Sequence, residues 1–155
     1  MNLSPSVTLL EATKSQTAIR FGIDNTPNQV QIENMMRVSG KIIEPILARF
    51  PGVFIYSFFR SPALNKKIGG SKTSQHCNGE AVDLDSVGNK ANLDIFLTVY
   101  DMVFDQLIAE YPDEKGVPSW VHVSYVEHPK KNRGQVLVKL KDRYIPYGEY
   151  RVGMV

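Results

Sequence analysis

Ser74-Gln75-His76-Cys77-Asn78-Gly79-Glu80-Ala81-Val82-Asp83 is the stretch on which the reading of this chain turns. A glycine three residues after the histidine permits a turn. Beyond it, Ala81, Val82 and Leu84 surround Asp83 with apolar side chains, so the chain re-enters a strand, Ala81 to Asp85, that points the carboxylate inward. A carboxylate in such a strand is costly to bury unless it is paired or bound to metal. A second strand, Trp120-Val121-His122-Val123-Ser124, alternates clearly. It sets Trp120, His122 and Ser124 on one face and Val121 and Val123 on the other. Two histidines and a carboxylate make a standard catalytic zinc set, with the fourth position left for water. Zinc would bring the pKa of that water towards ~7. The same three residues also fit a buried histidine hydrogen-bonded to Asp83, and spacing alone does not separate the two.

Outward from these strands, the pattern is helices first and then mostly strands. Residues 8–21 read as one or two short helices with Leu9, Leu10, Ala18, Ile19 and Phe21 as the apolar set and Gly22 as the stop. Asn25-Thr26-Pro27 reads as a helix start. That helix runs to about Phe50 on a core stripe of Val30, Met35, Val38, Ile42, Ile46 and Phe50, with a kink at Pro45. Val53 to Phe59 is a β-type run, and Pro62 to Ile68 a short helix ending at Gly69-Gly70. Residues 90–102 are helical on Leu93, Phe96, Leu97 and Tyr100. Phe104 to Tyr111 reads as a strand or as a continuation of that helix. Pro129 to Gly134 is a basic turn, and Gln135 to Lys141 a strand. The expected architecture is a single α+β domain, N-terminal helices packed on a small antiparallel or mixed sheet.

Bulk properties narrow the function classes. The chain has 155 residues, 43% of them hydrophobic and 22% charged, as expected for one soluble globular domain with a real core. The net charge of +2 is too small to argue for a nucleic-acid partner, though mild basicity suits a polyanionic surface. Cys77 is the single cysteine, so no intrachain disulfide forms. The N-terminal residues lack the basic-then-apolar pattern of a secretory signal. No run approaches the ~18 apolar residues of a membrane span. A monomer is expected, made in the cytoplasm and carried to any outside substrate by other means.

The local words carry a resemblance. Ser74-x-His76-x-x-Gly79-x-Ala81-x-Asp83, followed by Trp120-x-His122-x-Ser124, resembles the zinc D-alanyl-D-alanine carboxypeptidase family. That family includes bacterial wall carboxypeptidases and phage endolysins and shares its fold with the hedgehog signalling domain. Phe59-Arg60-Ser61-Pro62-Ala63-Leu64-Asn65, then Gly69-Gly70-Ser71, resembles the family's arginine motif. Arg20-Phe21-Gly22-Ile23-Asp24-Asn25-Thr26-Pro27 resembles a short-form branch of phage and bacterial genomes. The resemblance covers roughly residues 8 to 140.

It implies His76, Asp83 and His122 as ligands of one zinc ion, and Arg60 as the cation facing the substrate carbonyl or developing oxyanion. It also implies Ser74 near the substrate's terminal carboxylate, although a turn hydroxyl bonded to its own backbone explains Ser74 equally well. Many relatives carry an acidic base three positions before the last histidine, where this chain has Ser119. Hedgehog domains show a different pattern, a phenylalanine–aspartate pair opening a strand with a glutamate five residues after the aspartate. Phe104-Asp105-Gln106-Leu107-Ile108-Ala109-Glu110 matches it and points to Glu110 as the base, with Asp113 and Glu114 as weaker loop candidates. Trp120 lines the substrate cleft or simply packs. Cys77, following a ligand, points away from the metal. His128 is solvated, and Lys130, Lys131 and Arg133 are a charged turn. The activity so implied is metal-assisted hydrolysis of a peptidoglycan stem-peptide or cross-link bond, by carboxypeptidase or endopeptidase action, in a released or virion-carried endolysin. The rivals are a zinc-bearing module without turnover and a metal-free virion or interaction protein.

Overall fold

The computed structural model describes residues 1–127 and 131–155. The chain opens with a two-stranded ribbon, β1 (Asn2–Ser4) and β2 (Val7–Thr8), followed by helices α1 (Leu9–Thr13), α2 (Gln16–Phe21) and α3 (Gln29–Val38). A π-helical turn over Ser39–Ile43 leads into α4 (Glu44–Arg49). Strand β3 (Phe54–Ser57), α5 (Pro62–Lys67), a 3₁₀ turn over Gln75–Asn78, β4 (Ala81–Asp85) and α6 (Asn92–Tyr100) come next. Strands β5 (Gln106–Glu110), β6 (Trp120–Ser124), β7 (Gln135–Lys139) and β8 (Tyr144–Pro146) complete the order. Among the described residues six strands form one sheet in the order β3-β4-β6-β5-β7-β8. The β5–β7 pair is parallel and the other pairs are antiparallel, so the sheet is mixed. This is the expected α+β architecture, consistent with a hedgehog/DD-peptidase-like fold.

Period-two alternation gives the sheet two unlike faces. Val82, Leu84, Leu107, Ala109, Val121, Val123 and Val138 are buried in one core with Met35, Val38, Ile42, Ile43 and Ile46 from the long helical segment and Ile95, Phe96 and Val99 from α6. The opposite face carries Asp83, His122, Ile108 and Glu110, which line an open cleft. A helix-covered face thus holds the strands rigid while the other face presents polar groups.

Several expectations about the helices change. The α3 start is Asn28, not Asn25: Asn28 Oδ1 accepts the Gln31 N–H at 2.9 Å while Gln31 Oε1 accepts the Asn28 N–H at 2.8 Å. This reciprocal capping box outweighs the proline signal. Asn25 instead clasps two segments, donating to the Thr13 and Phe59 carbonyls and accepting the Ser61 N–H at 2.7 Å. Val30 is 65% exposed and lies outside the stripe, whereas Ile43 joins it. Leu10, Ile19 and Phe21 are exposed, because α1 and α2 are too short to bury a full stripe and seat only Ala12 and Ala18. In α6, Leu93, Leu97 and Tyr100 face outward, and Ile95 joins Phe96 on the buried side. At Pro45 the missing N–H is absorbed upstream, where the Glu44 N–H bonds the Ser39 carbonyl across the π turn. The strand reading of Phe104 to Tyr111 holds for Gln106–Glu110. The residues 128–130 of the expected basic turn, His128 and Lys130 among them, lie outside the described residues. No described helix is long and apolar enough to cross a membrane.

The turn between His76 and β4 is fixed by glycine. Gly79 has φ +74°, and a Cβ there would meet the Gln31 carbonyl oxygen at 2.5 Å and Met35 Cγ at 3.0 Å. Left-handed backbone and close approach to α3 both exclude a side chain. Gly79→Ala is expected to destabilise the protein by at least about 2 kcal/mol in denaturant unfolding. An unchanged midpoint would show that this contact is not tight.

Candidate metal centre

The antiparallel register of β4 with β6 pairs Asp83 directly with His122. The 3₁₀ turn before β4 brings His76 over the same carboxylate. Ser74 Oγ caps that turn by accepting the His76 N–H at 3.3 Å, and Gly79 ends it in the left-handed conformation. The Arg60 N–H donates to the His76 carbonyl at 3.2 Å, tying the arginine loop to the turn. Three segments far apart in sequence therefore converge on Asp83, which is 3% exposed.

His76 Nε2 lies 3.3 Å from Asp83 Oδ2, and His122 Nδ1 lies 3.0 Å from Asp83 Oδ1. One ligand atom from each of His76, Asp83 and His122 falls within 4.8 Å of the others. Ligand atoms bound tetrahedrally at zinc-like bond lengths are about 3.4 Å apart, close to the spacings seen. The tautomer of His76 adds a chemical argument. Its Nδ1 lies 2.6 Å from the Phe58 carbonyl, which can only accept, so Nδ1 carries the hydrogen. A neutral His76 then turns the lone pair of Nε2 towards a carboxylate oxygen. Two acceptors face each other inside the protein, an arrangement that a shared cation or proton resolves. The backbone carbonyl behind a ligand histidine is also the usual device for fixing ring orientation at a metal. The residues fit a single metal ion.

Burial alone would raise the pKa of Asp83, but the charges and hydrogen bonds of His76 and His122 outweigh it and hold the carboxyl well below the usual carboxylate range. Arg60 adds a fixed positive partner, with Nη2 donating to Asp83 Oδ2 at 3.1 Å and Nε to Ser57 Oγ at 3.1 Å. Part of its guanidinium is thus committed to Asp83, and the side chain still lines the cleft.

Glu110 stands on β5, opposite Trp120, with Ile108 opposite His122. It is the diagonal neighbour of His122 on the same sheet face, within reach of long side chains. It is 8% exposed. Burial pushes its pKa up to about 7; the attraction of His122 opposes this, and Asp83 adds to it. Lys139, paired with Glu110 across the parallel β5–β7 ladder, also lowers it. Such a carboxylate titrates near neutrality, the range suited to proton transfer.

The cleft has a volume of about 970 Å³, and its walls include Arg60, Ser74, His76, Asp83, Glu110, Trp120 and His122. Sequence reasoning named all seven. Ser74 both caps its turn and lines the cleft, and Trp120 lines the cleft while packing against Tyr56 and Tyr111. Asp113 does not reach it: its Oδ1 accepts the N–H groups of Lys115 and Val117 in its own turn. Glu114 and Cys77 are likewise absent from the cleft wall. Burial pushes the Cys77 thiol up, with Arg60 lowering it in part.

Three groups have supporting roles that the sequence does not show. Ser57 steadies Arg60, Lys139 faces Glu110, and Asp105 is a buried hub. Asp105 accepts from Gln75 Nε2 at 2.9 Å and from Arg133 Nε and Nη2 at 3.0 and 2.8 Å. Burial would raise its pKa, but the Arg133 bonds hold it below the ordinary value. Arg133 is therefore a paired residue and not a free charge of a basic turn. The Phe104-Asp105 pair was visible, but its long-range partner was not.

No curated protein matches the chain significantly. The family model described as Peptidase M15 matches residues 5–124. That span holds His76, Asp83, His122, Arg60 and Glu110, and on this match the chain belongs to the peptidase M15 family.

Proposed function

We propose that the chain is a zinc-dependent peptidase that cleaves a stem-peptide or cross-link bond of bacterial peptidoglycan. The observation that carries the reading is the buried His76–Asp83–His122 set with Glu110 beside it on one face of one cleft. Two imidazoles and a carboxylate are the donors of a catalytic zinc site, and M15 peptidases are metal-dependent. When bound, zinc supplies Lewis acidity and a water of lowered pKa. A hedgehog-like module without turnover is distinguished by activity alone, since that pattern also carries the glutamate, whereas a metal-free module would leave His76 Nε2 and Asp83 Oδ2 facing each other without a shared cation.

In this reading Glu110 accepts the proton of the attacking water as its oxygen bonds to the substrate carbonyl carbon. It returns that proton to the leaving nitrogen as the carbon–nitrogen bond breaks. Arg60, held by Asp83 and Ser57, presents its guanidinium to the oxygen on which negative charge develops. Ser74 orients the substrate from the rim of the 3₁₀ turn. The site of action is the cell wall, reached after release or carriage by other proteins. A terminal D-alanine with a free carboxylate makes the enzyme a carboxypeptidase, and a cross-link makes it an endopeptidase; mass spectrometry of digested peptidoglycan distinguishes the two.

Purified protein is expected to carry close to one zinc per chain by elemental analysis, and His76→Ala to lose it. Glu110→Gln is expected to keep zinc while turnover of peptidoglycan falls by roughly 10²–10⁴-fold. Undiminished turnover in that variant would remove Glu110 as the base. Glu110 also makes a pH prediction for the metal-free protein. Its folded pKa lies above the ordinary value, so the folded state holds the proton more tightly. Stability is therefore lost as pH rises from about 4.5 through about 7. Metal-free Glu110→Gln should be more stable than the parent at pH 8, by on the order of 2 kcal/mol, and nearly equal to it at pH 4. Parallel stability–pH curves for the two proteins would count against the raised pKa.

A further inference from the structure

Beside the triad the cleft has a wall of three aromatic rings. Tyr56 and Trp120 have centroids 5.4 Å apart at 37°, and Trp120 and Tyr111 have centroids 5.4 Å apart at 53°. Trp120 and Tyr111 line the cleft, and Tyr56 packs against Trp120. Core packing does not account for them, since Tyr56 is 58% and Tyr111 40% exposed.

Both tyrosines reach Trp120 through irregular backbone. The β3–β4 register shifts between Ile55 and Ser57, so Tyr56 sits in the irregularity. Ser57 there is paired with Asp83 and holds Arg60, and Tyr56 still meets Trp120. Bulges re-aim side chains in this way. Tyr111 follows Glu110 with φ +46°, the left-handed region that bulky residues avoid. The backbone is held there by its N–H on the Lys139 carbonyl at 2.9 Å and by Ser119 Oγ donating to its own carbonyl at 2.8 Å. Glycine or asparagine would fit this position at less cost, and the residue present instead brings a ring to Trp120. Strain of this kind gathers at ligand sites.

Exposed aromatic rings with hydroxyl groups at their edges match one ligand chemistry well. A pyranose ring offers polarised C–H groups to an aromatic face and hydroxyls to the tyrosine oxygens. A peptide side chain of comparable size is better held by an enclosing pocket than by an open wall. We propose that the Tyr56–Trp120–Tyr111 wall is a sugar subsite, on which an N-acetylated pyranose of the glycan strand stacks while the peptide attached to it enters the cleft. This rests on the peptidoglycan reading of the cleft and adds that the substrate is recognised with its glycan.

Trp120 is the only tryptophan in the chain, so its emission reports on the wall directly. Zinc-loaded full-length protein is titrated with soluble, peptide-free oligomers of N-acetylglucosamine and N-acetylmuramic acid, and separately with a sugar-free stem peptide. The glycan should produce a saturable change in emission, with affinity weakened about three- to tenfold in Tyr56→Ala and in Tyr111→Gly. Tyr111→Gly removes the left-handed penalty, so its thermal midpoint should hold or rise. Weaker binding in that variant then reflects loss of the ring and not of the fold. Emission unmoved by glycan, equal affinity in both variants, or a response to the sugar-free peptide alone each overturns the subsite. Release of new peptide termini from intact peptidoglycan by the unsubstituted protein judges the peptidase reading separately. Cleavage without glycan binding sinks only the sugar wall. Glycan binding without any cleavage upholds the wall and sinks the peptidase.

Discussion

A single buried negative charge organises this molecule. Asp83 sits on a central strand with apolar neighbours on either side, and an isolated carboxylate there would cost several kcal/mol. His76, His122 and Arg60 surround it within 3.3 Å, so its burial is tolerated only when three other segments are in place. Each partner is fixed from behind: His76 by the Phe58 carbonyl, Arg60 by Ser57, and His122 by its place in the β4–β6 ladder. The outer supports extend further. Gln75 is tied to Asp105, Asp105 to Arg133, and the arginine loop to Asn25. Long-range contacts from Asn25, Phe58 and Asp105 thus hold the partners of that carboxylate in place.

The same arrangement separates the roles of the two acids in the cleft. Asp83 is pulled down, against its burial, by the interactions of His76 and His122. Glu110, also buried but with its desolvation outweighing the neighbours that lower it, is pushed up towards neutrality. Two carboxylates on β4 and β5, the strands either side of β6, thus have pKa values forced apart by their surroundings on one face of the sheet, the pattern by which acid–base assignments are recognised.

How much of this the sequence made legible follows from the range of each signal. Strands β4 and β6 were readable because alternation is local, and with them the faces on which Asp83 and His122 lie. Glu110 was readable only by resemblance, since the expected position is held by Ser119, whose hydroxyl instead bonds the Tyr111 carbonyl. The start of α3 was misplaced because a proline signal at Pro27 competed with a capping box at Asn28 that needs its side-chain geometry to be recognised. The exposed Leu10, Ile19 and Phe21 misled for another reason: helices of five or six residues show an apolar pattern without a surface large enough to bury it. Strands of two or three residues such as β2 and β8 have no period to detect. The Asp105–Arg133 pair joins positions whose proximity depends on the parallel β5–β7 pairing.

The last strand has a consequence of its own. An open sheet ends in two rows of unsatisfied peptide groups, which invite other strands to add on. At one end β8 is only three residues long and includes Pro146, which has no N–H to offer an incoming strand. At the other end, just beyond β3, the Phe59 N–H is taken by the Ala12 carbonyl of α1, so the N-terminal helices cover part of that margin. Both margins of the sheet are blunted. The sheet that carries the candidate metal centre on its open face is in this way poorly suited to sideways pairing at either margin.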